Sequence, residues 1–186
     1  MVFSTWRDTM SCVTKRRPHS PRYWIADWAN AVVDADKVLT AFLVECHKAG
    51  PFACDFYAST PAAIARNLDA LHQKVLTQPI PAYSPDLSKY GFVDHPTFKN
   101  AVLASFYQPY STFSMLAEGL AVLKNGDGSI MYQLSFLQGS EAALAIACGD
   151  GAKVTDDAAK LQKYTNSIDK TSSFWSIVAG IRVLRS

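Results

Sequence analysis

The chain has 186 residues, of which 49% are hydrophobic and 18% are charged, and its formal net charge is +2. This mixture excludes an intrinsically disordered chain, and the length suffices for one domain with a buried core. The small net charge does not indicate a nucleic-acid partner, and no apolar run approaches the ~20 residues that a membrane span needs. The composition therefore predicts a globular protein with no membrane span.

Residues 1–20 differ from the rest of the sequence because they are polar and basic and lack a clear period. Arg7 and Asp8 interrupt the region where a secretory signal would carry its apolar segment, so no signal peptide is recognised. We expect residues 1–20 to form a disordered tail and residues 21–186 to form a helical domain.

Helical periodicity begins at Tyr23, and the first helix is predicted to end at Gly50-Pro51. Its apolar face is expected to comprise Trp24, Trp28, Val32, Leu39, Phe42, Leu43 and Cys46. A second helix is predicted to begin with Thr60 as N-cap and Pro61 at the first helical position. Its apolar face is expected to comprise Ile64, Leu68, Leu71 and Val75.

The segment from Gln78 to Val93 contains three prolines and is predicted to be an extended, irregular connection. Asp94 is expected to cap a third helix, which Pro109 ends. Its apolar face is expected to comprise Phe98, Val102, Leu103, Phe106 and Tyr107. Further helices are predicted at 111–123, 129–137 and 140–147, with a turn at 125–128. Thr155-Asp156-Asp157 is expected to cap a helix that runs to about Asp169, and the last helix is predicted to start at Ser172 with Phe174 on its apolar face. No convincing strand is found, so the predicted fold is all-α, an irregular bundle of six to eight helices.

The sequence contains no recognisable catalytic motif. The G-x-S-x-G pattern of a nucleophile elbow is absent, and no Gly-rich loop has the Lys-Ser/Thr ending that binds phosphate. His19, His47, His72 and His95 are dispersed and lack metal-ligand spacing. We therefore predict no catalytic residue, no metal site and no cofactor.

Two features have more than one interpretation. Cys46 and Cys54 are separated by eight residues, and the Gly-Pro turn between them is able to bring them within disulfide reach, although the sequence alone does not establish the bond. The second feature is a dense aromatic segment, interpreted either as core packing or as the wall of an apolar groove with a polar edge. Its members are Phe106, Tyr107, Tyr110 and Phe113.

Several segments resemble, in order, the helical lid of tripeptidyl-aminopeptidase-like α/β-hydrolases, a proline-iminopeptidase-type group of serine peptidases that are secreted in fungi and bacteria. The matching segments are ADKVLTAFLVECHKAGPFACDFY (35–57), STPAAIARNLDALHQKVLTQPIP (59–81), YGFVDHPTFKNAVLASFYQPYSTFSMLAEGLAVLKNGDGSIMY (90–132), EAALAIACGDG (141–151) and KTSSFWSIVAGIR (170–182).

The resemblance implies a lid that shapes a substrate pocket above a nucleophile. In the family the catalytic Ser lies before this region and the Asp and His lie after it, so no catalytic residue is transferred to this sequence. Cys46 and Cys54 match the paired cysteines of the lid, whereas Cys148 matches a cysteine whose partner is not identified here. The resemblance implies secretion, although no signal peptide is recognised.

Two functions follow from these observations. The first is a hydrolase lid that is inactive alone and has an α/β-hydrolase core as its partner. The alternative is a helical binding or self-association module that uses the exposed apolar face of such a lid.

Overall fold

A computed structural model describes residues 32–84, 89–136, 155–177 and 179–180. The chain divides into two compact units, one made of Ala35–Gln138 and the other of Met1–Asp34 together with Gly139–Ser186. Several predictions lie outside the described residues: the tail, the part of the first helix before residue 32, the helix at 140–147 and Cys148. Among the residues described, no helix is both long and apolar enough to cross a membrane.

The unit Ala35–Gln138 is mostly helical and contains one two-stranded sheet. Its elements in chain order are α1 (Ala35–Ala49), α2 (Pro61–Thr77), β1 (Ile80–Ser84), β2 (Lys89–Val93), α3 (His95–Ser105), α4 (Pro109–Lys124) and α5 (Ser129–Ser135).

Helix α1 is shorter at its beginning than the sequence predicts. Residues 32–34 form a turn, and the helix starts at Ala35, with Asp36 in its first turn, where a negative charge favours the helix dipole. Phe42 and Cys46 of the predicted apolar face are buried, while Leu39 and Leu43 are half-buried. The prediction of one continuous helix through Val32 is therefore wrong.

Helix α2 matches its prediction in both its beginning and its buried face. The Thr60 side chain accepts a hydrogen bond from the backbone N–H of Ala63, and Pro61 occupies the first helical position. The buried residues are Ile64, Leu68, Leu71 and Val75, which are the predicted set.

Residues 78–94, here named the hairpin connection, correct the prediction of an irregular segment and of a chain without strands. Strands β1 and β2 pair antiparallel, with Ile80 opposite Val93 and Tyr83 opposite Tyr90. Burial alternates along β1, because Ile80 and Ala82 are buried whereas Pro81 and Tyr83 are exposed. A two-stranded sheet consists of edge strands only, and such strands tolerate a proline that a central strand excludes.

Helix α3 begins at the predicted cap, since the Asp94 side chain accepts a hydrogen bond from the N–H of Thr97. Phe98 and Val102 are buried as expected, but Tyr107 lies beyond the helix and is 63% exposed. Pro109 occupies the first turn of α4, two residues earlier than the predicted start, because its missing N–H needs no partner there.

The short helix α5 lies at the centre of this unit, where it packs on α3, α4 and both strands. Its Met131 and Leu134 are fully buried. The turn before it was predicted, and Gly126 has a φ of +97°, a conformation that favours glycine. The Asp127 side chain accepts a hydrogen bond from the N–H of Ser129 and so supports the start of α5.

In the second unit, the described residues contain helix α6 (Ala158–Ile168), which begins at the predicted acidic cap. The Asp157 side chain accepts a hydrogen bond from the N–H of Lys160, and this bond lowers the pKa of the Asp157 carboxyl. Phe174, predicted to lie on the apolar face of the last helix, is buried, and residues 175–177 are helical.

Candidate functional site

The four aromatic residues named as a candidate site lie around the corner between α3 and α4. Tyr107 and Tyr110 are exposed, whereas Phe106 and Phe113 are half-buried. The ring of Phe113 packs edge-to-face against Phe42 of α1, with their centroids 5.2 Å apart. The corner therefore presents two tyrosine rings to solvent and contributes at least one phenylalanine ring to the interior.

Hydrogen bonds from one threonine fix the geometry of this corner. The Thr112 hydroxyl lies 2.6 Å from the carbonyl oxygen of Ser105 and 2.8 Å from that of Gln108. The first carbonyl is the last of α3 and the second belongs to the N-cap of α4, so a single side chain joins the two helix ends. The bond to Ser105 satisfies a backbone acceptor at the end of α3, whereas the Gln108 carbonyl also accepts the backbone N–H groups of Ser111 and Thr112.

Residues 50–60, here named the disulfide connection, join α1 to α2. Cys46 and Cys54 form a disulfide with their Cα atoms 5.4 Å apart, and both cysteines are buried. Gly50 has a φ of +79°, and its carbonyl accepts a hydrogen bond from the N–H of Cys54. The Gly-Pro turn thus returns the chain to α1, and the disulfide is present as the resemblance implies.

His47 lies beside this disulfide and is held by the same connection. Its ring stacks on Tyr57 with centroids 5.9 Å apart, and its Nδ1 lies 3.3 Å from the carbonyl oxygen of Ala58, which accepts the N–H. Phe52 projects from the same connection and is fully exposed. These contacts give His47 a structural role in the connection.

The outward face of the hairpin is apolar and aromatic. Pro81 lies opposite Phe92, and Tyr83 lies opposite Tyr90, with the two tyrosine rings stacked 4.6 Å apart. Tyr90 is 80% exposed and Phe92 is 63% exposed. We name these four residues the hairpin face, a group of neighbouring exposed apolar side chains on one side of the sheet.

The inward side of the hairpin fits closely against α5. A side chain at Gly91 would collide with the ring of Tyr132, whose hydroxyl donates a hydrogen bond to the carbonyl of Tyr90. The Gly128 N–H donates to the carbonyl of Pro81 at 3.1 Å. Both strands thus have a backbone carbonyl paired with the turn or helix that follows α4, which orients the hairpin face.

Two histidines that are 23 residues apart in sequence meet between α2 and α3. His72 Nε2 lies 2.7 Å from His95 Nδ1, and the rings are stacked with centroids 4.8 Å apart. His72 also stacks on Phe98 at 5.5 Å. No sequence pattern indicated this pair, because the hairpin that brings the end of α2 to the start of α3 was not predicted.

The charges around this pair belong to three helices. Burial lowers the pKa of His72 most, Lys99 and His95 lower it further, and Asp69 opposes them. Burial also lowers the pKa of Lys99, against the attraction of Asp36 and Asp69. The two imidazoles share one N–H proton in their hydrogen bond, while burial and the neighbouring positive charges oppose the protonation of His72.

Among the described residues, the hydrogen bond of His72 is to His95, and no serine or cysteine is bonded to either ring as in a catalytic triad. Across residues 32–84, 89–136 and 155–180 apart from 178, no three His, Cys, Asp or Glu side chains are grouped so that they could hold a metal ion.

Comparisons with protein families, curated proteins and solved structures find no match to this chain.

Proposed function

We propose that this chain is the helical lid of a serine hydrolase similar to the tripeptidyl-aminopeptidase-like group, covering a substrate pocket without catalysing the reaction itself. The carrying observation is the Cys46–Cys54 disulfide, because it joins the two cysteines that the resemblance pairs. The mostly helical fold of Ala35–Gln138 and the order of the five resembling segments also support the proposal.

The tyrosines at the corner between α3 and α4 fit such a cover. Tyr107 and Tyr110 present apolar rings that end in hydroxyl groups, a combination that suits a pocket with a polar edge. Phe113 anchors this corner through its contact with Phe42, so the two exposed rings stand on a packed base. In this proposal the lid determines which substrates reach the nucleophile, and the nucleophile belongs to the hydrolase core.

The test is activity-based labelling in the organism that encodes the chain. A fluorophosphonate probe reacts covalently with the activated serine of a serine hydrolase. Labelled proteins are captured, and their tryptic peptides are searched for peptides of α1 to α5. We expect these peptides in a labelled polypeptide, or labelled complex, larger than the 20.4 kDa of this sequence.

The purified 186-residue protein serves as the negative control, since its sequence contains no G-x-S-x-G motif. It should neither react with the probe nor hydrolyse aminoacyl chromogenic substrates. Turnover that a serine-directed inhibitor abolishes would contradict the proposal. So would peptides of this chain found only in an unlabelled 20.4 kDa product.

A second function is favoured by the hairpin face, which would allow the protein to self-associate. Two cross-strand pairs of apolar residues lie outward and are largely exposed. A second copy presents the same surface, so a two-fold contact would bury both aromatic faces together. This candidate commits to a homodimer and requires no hydrolase core.

Sedimentation at several protein concentrations tests the second function. The Phe92→Ser variant should remain monomeric at concentrations where the unaltered protein dimerises. Phe52→Ser is the matched control, because Phe52 is fully exposed but lies on the disulfide connection. A monomer at all concentrations, or equal loss of dimer in both variants, contradicts self-association through the hairpin face.

A further inference from the structure

The contact between His72 and His95 joins two elements that are separated by the whole hairpin. His72 lies in the second half of α2, and His95 is the first residue of α3. Their nitrogens are 2.7 Å apart, and the sequence separation is 23 residues. The bond is therefore a tertiary contact that closes the space between two helices, not a local helix contact.

The number of protons on the pair decides whether this bond exists. A neutral imidazole has one N–H donor and one acceptor nitrogen, so two neutral rings form one hydrogen bond. A first added proton occupies a nitrogen that faces away from the partner, and the bond remains. A second added proton makes both facing nitrogens donors, so at 2.7 Å they repel each other.

The charged surroundings come from every helix packed at this point. Asp69 precedes His72 by three residues on α2, and Lys99 follows His95 by four residues on α3. Asp36 of α1 interacts electrostatically with Lys99. The ammonium of Lys99 and the N-terminal end of α3 both oppose additional positive charge here, and Asp69 only partly offsets them.

We propose that the His72–His95 hydrogen bond is an acid-sensitive latch, which holds α2 against the start of α3 until both imidazoles carry a proton. At a pH low enough to protonate both imidazoles, α2 loses this hydrogen bond to α3, while α3 keeps its extensive packing on α5. The latch is independent of whether the protein is a hydrolase lid.

The direction of the pH dependence follows from linkage. The pKa of His72 in the folded protein lies below its ordinary value of 6.5, mainly because of burial. The unfolded chain therefore binds more protons at mildly acidic pH. The stabilisation by neutral His72 is present above pH 6.5 and is lost as the pH falls through the lower folded pKa.

Nuclear magnetic resonance of the imidazole nitrogens tests the latch directly in the full chain. Near neutral pH one of the two facing nitrogens should carry a proton and the other should not. We expect the pair to take up its two protons in two separated steps, because the positive charge of the first protonated ring repels the second proton. Independent titration of both rings with one common midpoint overturns the proposal.

Variants provide a second readout through urea unfolding between about pH 7.5 and 5, the range around the ordinary histidine pKa. In His72→Gln or His95→Gln the amide can donate or accept a hydrogen bond but takes up no proton. Near pH 5.5, unfolding of the unaltered protein should take up about one proton more than unfolding of His72→Gln. His95→Gln keeps the burial that lowers the pKa of His72, so it should retain most of this proton uptake.

His47→Gln is the matched control, since His47 lies on α1 and contacts the disulfide connection instead. It should keep the pH dependence of the unaltered protein. An equal proton uptake in the His72→Gln and unaltered proteins overturns the latch. If a variant fails to fold, the nitrogen titration of the unaltered protein still decides the question.

Discussion

The two connections that flank α2 are held in place by different interactions. The disulfide connection is held by a covalent bond between cysteines eight residues apart and by a turn at Gly50. The hairpin connection has no such bond and is held by contacts with the turn before α5 and with Tyr132. The first depends on residues close in sequence and the second on residues about 40 positions away, as between Tyr90 and Tyr132. The difference indicates that the hairpin connection is the more sensitive to changes elsewhere in the unit.

The largest expected effect is that of Gly128→Ala, which would disrupt the packing of the hairpin against the turn before α5. An added Cβ would lie 2.8 Å from Val93 Cγ2 and 2.9 Å from the carbonyl oxygen of Pro81. The hairpin must then move, and the hydrogen bond from Gly128 to Pro81 is weakened. We expect a loss of about 3 kcal/mol in the free energy of unfolding, measured by urea denaturation.

Gly180→Ala is the control for this glycine substitution, because a Cβ at Gly180 meets nothing within 4 Å. Its free energy of unfolding should change by less than about 0.5 kcal/mol. An unchanged stability of Gly128→Ala would show that the hairpin is not packed against this turn, and the comparison between the two connections would fail.

Removal of the disulfide should have a smaller effect. The double variant Cys46→Ala, Cys54→Ala loses the constraint on a loop of eight residues. We expect a loss of about 2 kcal/mol in the free energy of unfolding, because a short loop restricts the unfolded chain only modestly. Reducing agent should destabilise the unaltered protein by a similar amount, and urea denaturation measures both.

The double variant in reducing agent is the control for the two remaining cysteines, Cys12 and Cys148. Any loss of stability that this variant shows on addition of reductant is due to Cys12 and Cys148 and is subtracted from the loss measured for the unaltered protein. If reductant leaves the unaltered protein unchanged, the disulfide connection is held by its turn and its packing alone.

The smallest effect is expected at the helix caps that follow the two connections. Thr60→Ala and Asp94→Ala each remove one hydrogen bond to a helix N–H. Each should lower the free energy of unfolding by about 1 kcal/mol. The two losses should be similar, because a cap bonds only its own helix and does not depend on how the preceding connection is held. Thermal or urea unfolding measures this loss.

Ser59→Ala is the control for Thr60→Ala, since Ser59 is exposed and precedes the cap. We expect a change of no more than a few tenths of a kcal/mol, as for other exposed positions. A several-fold larger loss in Asp94→Ala than in Thr60→Ala would mean that the Asp94 cap also positions the hairpin connection.

Local signals account for the parts of the fold that were predicted well. The buried face of α2 was identified from spacing alone, because a helix repeats its contacts every three to four residues. The caps at Thr60, Asp94 and Asp157 were identified because each side chain bonds a backbone N–H only three residues later. Such features need no distant residue to form.

The candidate sites were predicted less completely. The corner aromatics could be named from their density, but their exposure depends on how α1 packs on α4, as the contact of Phe113 with Phe42 illustrates. The hairpin face was missed because three prolines concealed its alternation of buried and exposed residues. The histidine pair was missed with it, since the hairpin determines which residue of α3 meets α2.

The sequence by itself determined the helices of the described residues within a few positions, except for the start of α1, together with the caps at Thr60, Asp94 and Asp157 and the turn before α5. Each is decided by groups within about ten residues of one another, where the entropy of closing a loop is small. Only the tertiary structure decided the hairpin, its outward aromatic face and the contact of His72 with His95. The outward face is oriented by the contact of Tyr90 with Tyr132, about 40 positions away, and His72 lies 23 positions from His95, so no local pattern specifies either feature. The hairpin itself was concealed by its three prolines.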